Sequence, residues 1–215
     1  MLEDLAWKDN FDTAQPRAPV VLVGARLPQL RAHMGRAKSY AERMFDVQEV
    51  GPLAPEAARR AIEKPARDEG VAIDDNALQR IFEMTHGYPY FLQEWGKHAW
   101  DVADTSPIDL GDVERASAMA TAALDGSFFR VRFERLTPTE RRYLRAMAKR
   151  GPGPHRSGDI ARVLGKPVTS LGPTRSQLIA KGMVWSPGHG DTGFTVPLFD
   201  QFMLCIMPDL TFPEV

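Results

Sequence analysis

A chain of 215 residues with 43% hydrophobic and 26% charged side chains has a globular composition, long enough to bury a core in one or two domains. No apolar run approaches the roughly 20 residues that cross a bilayer, and the single cysteine, Cys205, excludes an internal disulfide. The net charge of −1 hides an asymmetry: residues 1–136 hold 17 Lys/Arg against 22 Asp/Glu, whereas residues 137–181 hold 10 against only Glu140 and Asp159.

The start, Met1-Leu2-Glu3-Asp4, is acidic and unlike a secretory signal, so a cytoplasmic location is expected. Leu2, Leu5 and Ala6 lie on one face of a short helix, and Pro16 and Pro19 precede Val20-Val21-Leu22-Val23, an aliphatic run that reads as a strand buried on both faces. A helix over about 27–45 and a second strand at Val47–Val50 complete a parallel crossover unit. Two such strands cannot cover both their faces, so the rest of the sheet is expected from elsewhere.

Pro52 and Pro55 mark the next boundary. Helices are expected over Pro55 to about Glu69, Asp74–His86, Pro89 to about Val102 and Leu110–Leu124, with Asp74 and Asp109 as N-caps and Pro65 kinking or ending the first. Phe128, Phe129, Val131 and Phe133 then form an aromatic connector of open geometry.

The last part opens on Leu136-Thr137-Pro138-Thr139-Glu140, in which Thr137 and Glu140 form a capping box and Pro138 takes the first helical position. That helix points Tyr143, Leu144 and Met147 inward and carries Arg141, Arg145 and Lys149 as one basic stripe. After the breaker Gly151-Pro152-Gly153-Pro154, Ser157 is expected to cap a short helix holding Ile160, Ala161 and Leu164, which Gly165 ends. A third helix over about 170–181 precedes a hairpin made of Met183–Trp185, the tip 186–191 and Phe194–Val196. Helix, helix, turn, helix, hairpin is the order of a winged helix-turn-helix. The expected fold class is thus mainly α with small β content: a remnant α/β layer, a four-helix unit and a winged helix, divided at 1–52, 53–127 and 128–215.

Catalytic chemistry finds little purchase. Gly96-Lys97 and Gly165-Lys166 are followed by His98 and Pro167 rather than Ser or Thr, and Phe91 and Ile160 stand where a P-loop needs its first glycine. The strand at 20–23 does not end in the acidic residues that would hold Mg²⁺. The five histidines share no metal-ligand spacing and are expected at the surface or at helix ends. Cys205, between Leu204 and Ile206, reads as a small buried hydrophobe. No enzyme activity, no cofactor and no metal are expected.

The order of parts, with the strings Val20-Val21-Leu22-Val23-Gly24-Ala25-Arg26-Leu27-Pro28, Tyr40-Ala41-Glu42-Arg43-Met44-Phe45 and Gly87-Tyr88-Pro89-Tyr90-Phe91-Leu92-Gln93, resembles the C-terminal half of AAA+ and STAND-type ATPases, near the replication-initiator-like archaeal and bacterial members. The resemblance implies a sensor-1 strand at 20–24, a last core strand at 47–50 and a helical lid over 55–125. It also implies that Arg26 faces a γ-phosphate, that Arg43 matches an arginine-finger region, and that Gly87 and Pro89 form a lid signature near nucleotide. Bland readings stand beside these: Arg26 as a solvated residue, Arg43 paired with Glu42 or Asp46, and Gly87 and Pro89 as helix punctuation. ATP and Mg²⁺ enter only if a missing core is supplied.

In the winged-helix reading, residues 170–181 are the recognition helix. Thr174, Arg175, Gln177 and Lys181 are its polar contacts, His189 lies in the wing, and Arg156 and Lys166 are phosphate contacts for double-stranded DNA. Three functions follow for comparison: a non-catalytic nucleic-acid-binding module, the C-terminal fragment of an ATP-dependent ATPase, and a scaffold that self-associates or binds protein through its incomplete sheet. None involves a membrane.

Overall fold

The computed structural model describes residues 50–211. The α/β layer, its incomplete sheet, Arg26 and Arg43 lie outside the described residues.

Helix α1 (Pro55–Asp68) starts on a proline at its first position and buries Ala58, Ile62 and Ala66, one residue per turn. Pro65, expected to kink or end the helix, lies within it, and the helix runs on to Asp68. The exposed face is laced by Arg59–Glu63, Lys64–Asp68 and Arg67–Glu63 pairs at four-residue spacing. Helix α2 (Asp75–Thr85) begins after Asp74, which occupies the N-cap position but makes no side-chain cap bond. The backbone there is held by Ile108 instead: Asp74 N donates to Ile108 O at 3.0 Å, and Ile108 N to Ala72 O at 2.9 Å.

The turn into α3 (Pro89–Val102) is built on two left-handed residues, His86 (φ 51°) and Gly87 (φ 71°). A Cβ on Gly87 would sit 2.2 Å from Leu53 O, while Leu53 N donates to Gly87 O at 2.8 Å. Only glycine fits this crossing of two backbones. Trp95 of α3 is fully buried and donates from Nε1 to Ser117 Oγ at 2.9 Å; Ser117 in turn donates to Val113 O. Helix α4 (Leu110–Ala123) carries the expected cap at Asp109, closed into a box by Asp112.

The aromatic connector is helical. A π-helical turn, Leu124–Phe129, continues α4 directly into α5 (Arg130–Glu134). The wider turn sets Phe129 among rings from both sides: its centroid is 5.8 Å from Phe91, 5.6 Å from Phe199 and 5.4 Å from Phe202. These T-shaped and tilted ring pairs join the α1–α4 helices to the rest. One continuous apolar cluster therefore runs from Ala58 to Met203.

Helix α6 (Pro138–Ala148) has the Thr137–Glu140 box and buries Tyr143, Leu144 and Met147 as expected. The basic stripe is not a free surface. Arg145 is buried and donates from Nε to Met207 O at 2.9 Å, and the Arg141 guanidinium lies 4.2 Å from the Phe133 ring centre. Strand β1 (His155–Arg156) leads into α7 (Ser157–Leu164), whose N-cap is Arg156 rather than Ser157. A 3₁₀ turn (Val168–Leu171) precedes α8 (Gly172–Ala180). Strands β2 (Val184–Trp185) and β3 (Asp191–Phe194) form the hairpin, with β3 starting three residues earlier than expected. The last helix, α9 (Phe199–Ile206), packs on α6.

Expectations for three single residues fail. Cys205 is exposed, because Phe199, Asp200, Phe202 and Met203 are the residues of α9 that turn inward. His98 and His155 are buried rather than superficial: His98 lies one turn from Glu94, with Nε2 3.8 Å from its carboxylate, and His155 Nε2 donates to Gly151 O at 2.9 Å. Among the described residues no helix is long and apolar enough to cross a membrane.

Candidate nucleic-acid interface

The three short strands form one antiparallel sheet in the order β1-β3-β2. His155 faces Thr192 and Arg156 faces Asp191 across one pair; Val184 faces Phe194 and Trp185 faces Gly193 across the other. Gly193 makes room for its neighbour, since a Cβ there would meet the Trp185 indole nitrogen at 3.1 Å. The start of α7 is pinned to the hairpin, because the Ser157 amide and hydroxyl both donate to Gly190 O at 2.9 Å. That contact sets Arg156 beside the hairpin loop, where His189 is exposed. The Arg156 side chain is 86% exposed, and its Nε is 3.9 Å from Asp191 Oδ1, so the pair is loose and solvated.

Lys166 is exposed just beyond Gly165, which ends α7 in the left-handed conformation (φ 62°). With eight residues in α7, Lys166 stands roughly 12 Å along the helix from Arg156. Gln177 is exposed on α8, and Thr174 is half-buried.

Arg175 on α8 and Lys181, just past its end, are both engaged within the fold, Arg175 half-buried and Lys181 still exposed. Arg175 donates from Nε to Thr192 Oγ1 and from Nη2 to Ser186 Oγ and Asp191 O, each at 2.7 Å, so its guanidinium clasps both sides of the hairpin. Behind it the Tyr143 hydroxyl is raised by burial, against the Thr192 hydroxyl and the Arg175 charge, which pull it down. Lys181 donates to Glu140 Oε2 at 2.7 Å and to Arg135 O at 2.9 Å. Burial pushes the Glu140 carboxyl up, but the Lys181 ammonium and the Thr137 amide and hydroxyl outweigh it and hold Glu140 below its ordinary range. One capping carboxylate thus neutralises a lysine 41 residues away.

Several of the ten basic residues in 137–181 are already engaged. Asp159 takes Arg150 at 3.2 Å and Arg162 at 3.0 Å. Sequence patterning missed these partners because none but Arg162 lies within one helical turn of its acid. Over 137–211 the excess remains positive, ten Lys/Arg against five Asp/Glu.

Gly87 and Pro89 occupy the α2–α3 turn, where φ and the Leu53 carbonyl account for the glycine and the first helical position for the proline. A cleft of about 260 Å³ between α1 and α3 is lined largely by apolar side chains, among them Ile62, Ala66, Trp100 and Ile108, with Glu69, Gln93 and Lys97 also on its wall. Among the described residues no three His, Cys, Asp or Glu side chains converge as metal ligands.

A family model described as a domain of unknown function (DUF8462) matches residues 126–203. A sequence search of curated proteins finds no match. In fold, the chain is similar to the Walker-type ATPase PABY2304 of Pyrococcus abyssi, with 17% identity and a TM-score of 0.55, over 71% of this chain and 42% of that one. The P216G mutant of Thermotoga maritima RuvB matches at 19% identity and a TM-score of 0.40, over 74% of this chain and 52% of that one. The Thermotoga maritima RuvB Holliday junction branch migration motor matches at 19% and 0.34, over 67% and 47%. The chain therefore spans about half or less of the length of these structures. The ATPase-like resemblance holds at the level of fold; the two RuvB scores are too low to add to it.

Proposed function

We propose that the chain is a non-catalytic AAA+/STAND-like module whose segment 137–207 is a winged helix that docks on double-stranded DNA. The observation that carries this reading is the edge where α7 meets the β2–β3 hairpin: Arg156 is exposed beside the loop holding His189, with Lys166 one helix length away. The helix order and the β1-β3-β2 sheet support it, as does the positive excess over 137–211. No nucleotide, metal or membrane enters the function, and the module works in the cytoplasm. Fluorescence anisotropy with a labelled duplex tests it. The wild type is expected to bind at low salt, and the Arg156→Ala/Lys166→Ala double variant to bind measurably less. Equal binding by both, or none by either, would remove the proposal.

The likeness in fold to one region of a Walker-type ATPase favours a second reading, in which a P-loop core supplied by other residues or another chain adds ATP and Mg²⁺. Gly87 and Pro89 would then face that core. Thermal melting separates the two readings: the first expects no shift with ATP-Mg²⁺, whereas the second expects one once a P-loop-bearing partner is added.

A further inference from the structure

We infer that this surface grips the DNA duplex through its phosphates, independently of sequence, and that Arg175 is a positioning residue for the hairpin instead of a reader of bases. The inference rests on the winged-helix reading above and names what that site takes.

Reading a base pair in the major groove needs a side chain free to reach it: Arg or Lys to guanine, Asn or Gln to adenine. Helix α8 would be the reading element, yet its exposed residues are Gly172, Pro173, Ser176, Gln177 and Ala180. Its arginine is spent within the fold, with three 2.7 Å bonds to Thr192, Ser186 and Asp191. Lys181, at its C-terminal end, is committed to Glu140 and Arg135 O. Gln177 alone remains as a free amide, on a helix of nine residues that opens with Gly-Pro. One amide carries far less discrimination than a set of bidentate contacts.

Arg156 and Lys166 differ from these. Arg156 is almost wholly exposed with only a 3.9 Å carboxylate neighbour, and Lys166 is exposed after a helix end. Cations presented this way neutralise phosphates, a contact that carries no sequence information. Arg175 serves them indirectly. Its clasp fixes Ser186 and Asp191 at the two ends of the hairpin loop, and through Ser157 and Gly190 the loop fixes the start of α7 that bears Arg156.

The test titrates the full chain against a panel of unrelated duplexes of equal length at several salt concentrations. Two phosphate contacts give a log–log salt slope of about −1.8, a loss of about 12-fold between about 50 and about 200 mM salt. Affinities across the panel should agree within about threefold. Gln177→Ala should leave the relative affinities across the panel unchanged, and Arg156→Ala should weaken every duplex alike while reducing the slope by about 1. Arg175→Ala, checked for folding by its far-UV spectrum, should weaken every duplex by one common factor with the slope unchanged, and hydrogen exchange should quicken in the hairpin loop. A base-reading arginine would instead reorder the panel. One duplex preferred by about 30-fold or more, with that preference lost in Gln177→Ala or Arg175→Ala, would overturn the inference and leave the binding function standing. No binding to any duplex at low salt would overturn both.

Discussion

Lys181→Met and Glu140→Gln break the same ion pair from opposite ends, and the structure predicts very different costs. Glu140 is 1% exposed while the Lys181 side chain is 37% exposed. Removing the ammonium strands a buried carboxylate that keeps only its Thr137 contacts, at a cost of about 3 kcal/mol. Removing the carboxylate's charge leaves a lysine that swings into water, and a Gln can still accept the Thr137 amide bond, so that change costs about 1 kcal/mol. For a domain of this size the first corresponds to a fall of roughly 6–12 °C in Tm and the second to roughly 2–4 °C. The pH dependence has a fixed sign. In the wild type the folded Glu140 carboxyl lies below its unfolded value, so its contribution is complete above about pH 4.5 and is lost as pH falls through the folded value. In Lys181→Met, burial acts without the opposing ammonium and the carboxyl rises, so the gap from wild type is widest near neutrality and narrows in acid. Urea unfolding of the three proteins at neutral and acid pH measures this directly. A Lys181→Met protein as stable as wild type, or a Glu140→Gln protein less stable than Lys181→Met, would refute the reasoning.

Gly87→Ala should destabilise by about 2–3 kcal/mol, since it combines a left-handed φ with a Cβ 2.2 Å from the Leu53 carbonyl oxygen; a thermal melt within a degree or so of wild type would contradict that contact. Ser117→Ala leaves the buried Trp95 N–H without its acceptor and should cost about 1–3 kcal/mol by denaturant unfolding, more than the exposed Ser176→Ala, which should be near neutral. ATP-Mg²⁺ should leave the melting temperature of the isolated chain unchanged.

The helices were legible where the signal is local. Pro89 opens α3 and Pro138 opens α6 because proline suits a first helical position, and the Asp109 and Thr137 boxes close within three residues of their caps. Asp74 takes the N-cap position as expected, though without a side-chain cap bond, whereas the same rule misled at Ser157, which turns to Gly190 O across the sheet. The basic stripe on α6 failed for a tertiary reason. Arg145 faces the end of α9, whose approach no helical period announces, and the same docking chooses Phe199, Phe202 and Met203 over Cys205 for burial. Candidate contacts were legible as residue types but not as orientations. Arg156, Lys166, Gln177 and His189 face solvent, while Arg175 and Lys181 answer to partners 17 and 41 residues distant in sequence. Charge counting sees ten cations, and only the fold tells which are already engaged.

Hydrogen exchange on the full chain, with and without a saturating duplex at low salt, bears most directly on where DNA would dock. Protection is expected at amides 155–158, 186 and 188–191, with those of α8 and the α1–α4 helices unchanged. Protection along α8 or within 55–123, or none anywhere, would contradict the account.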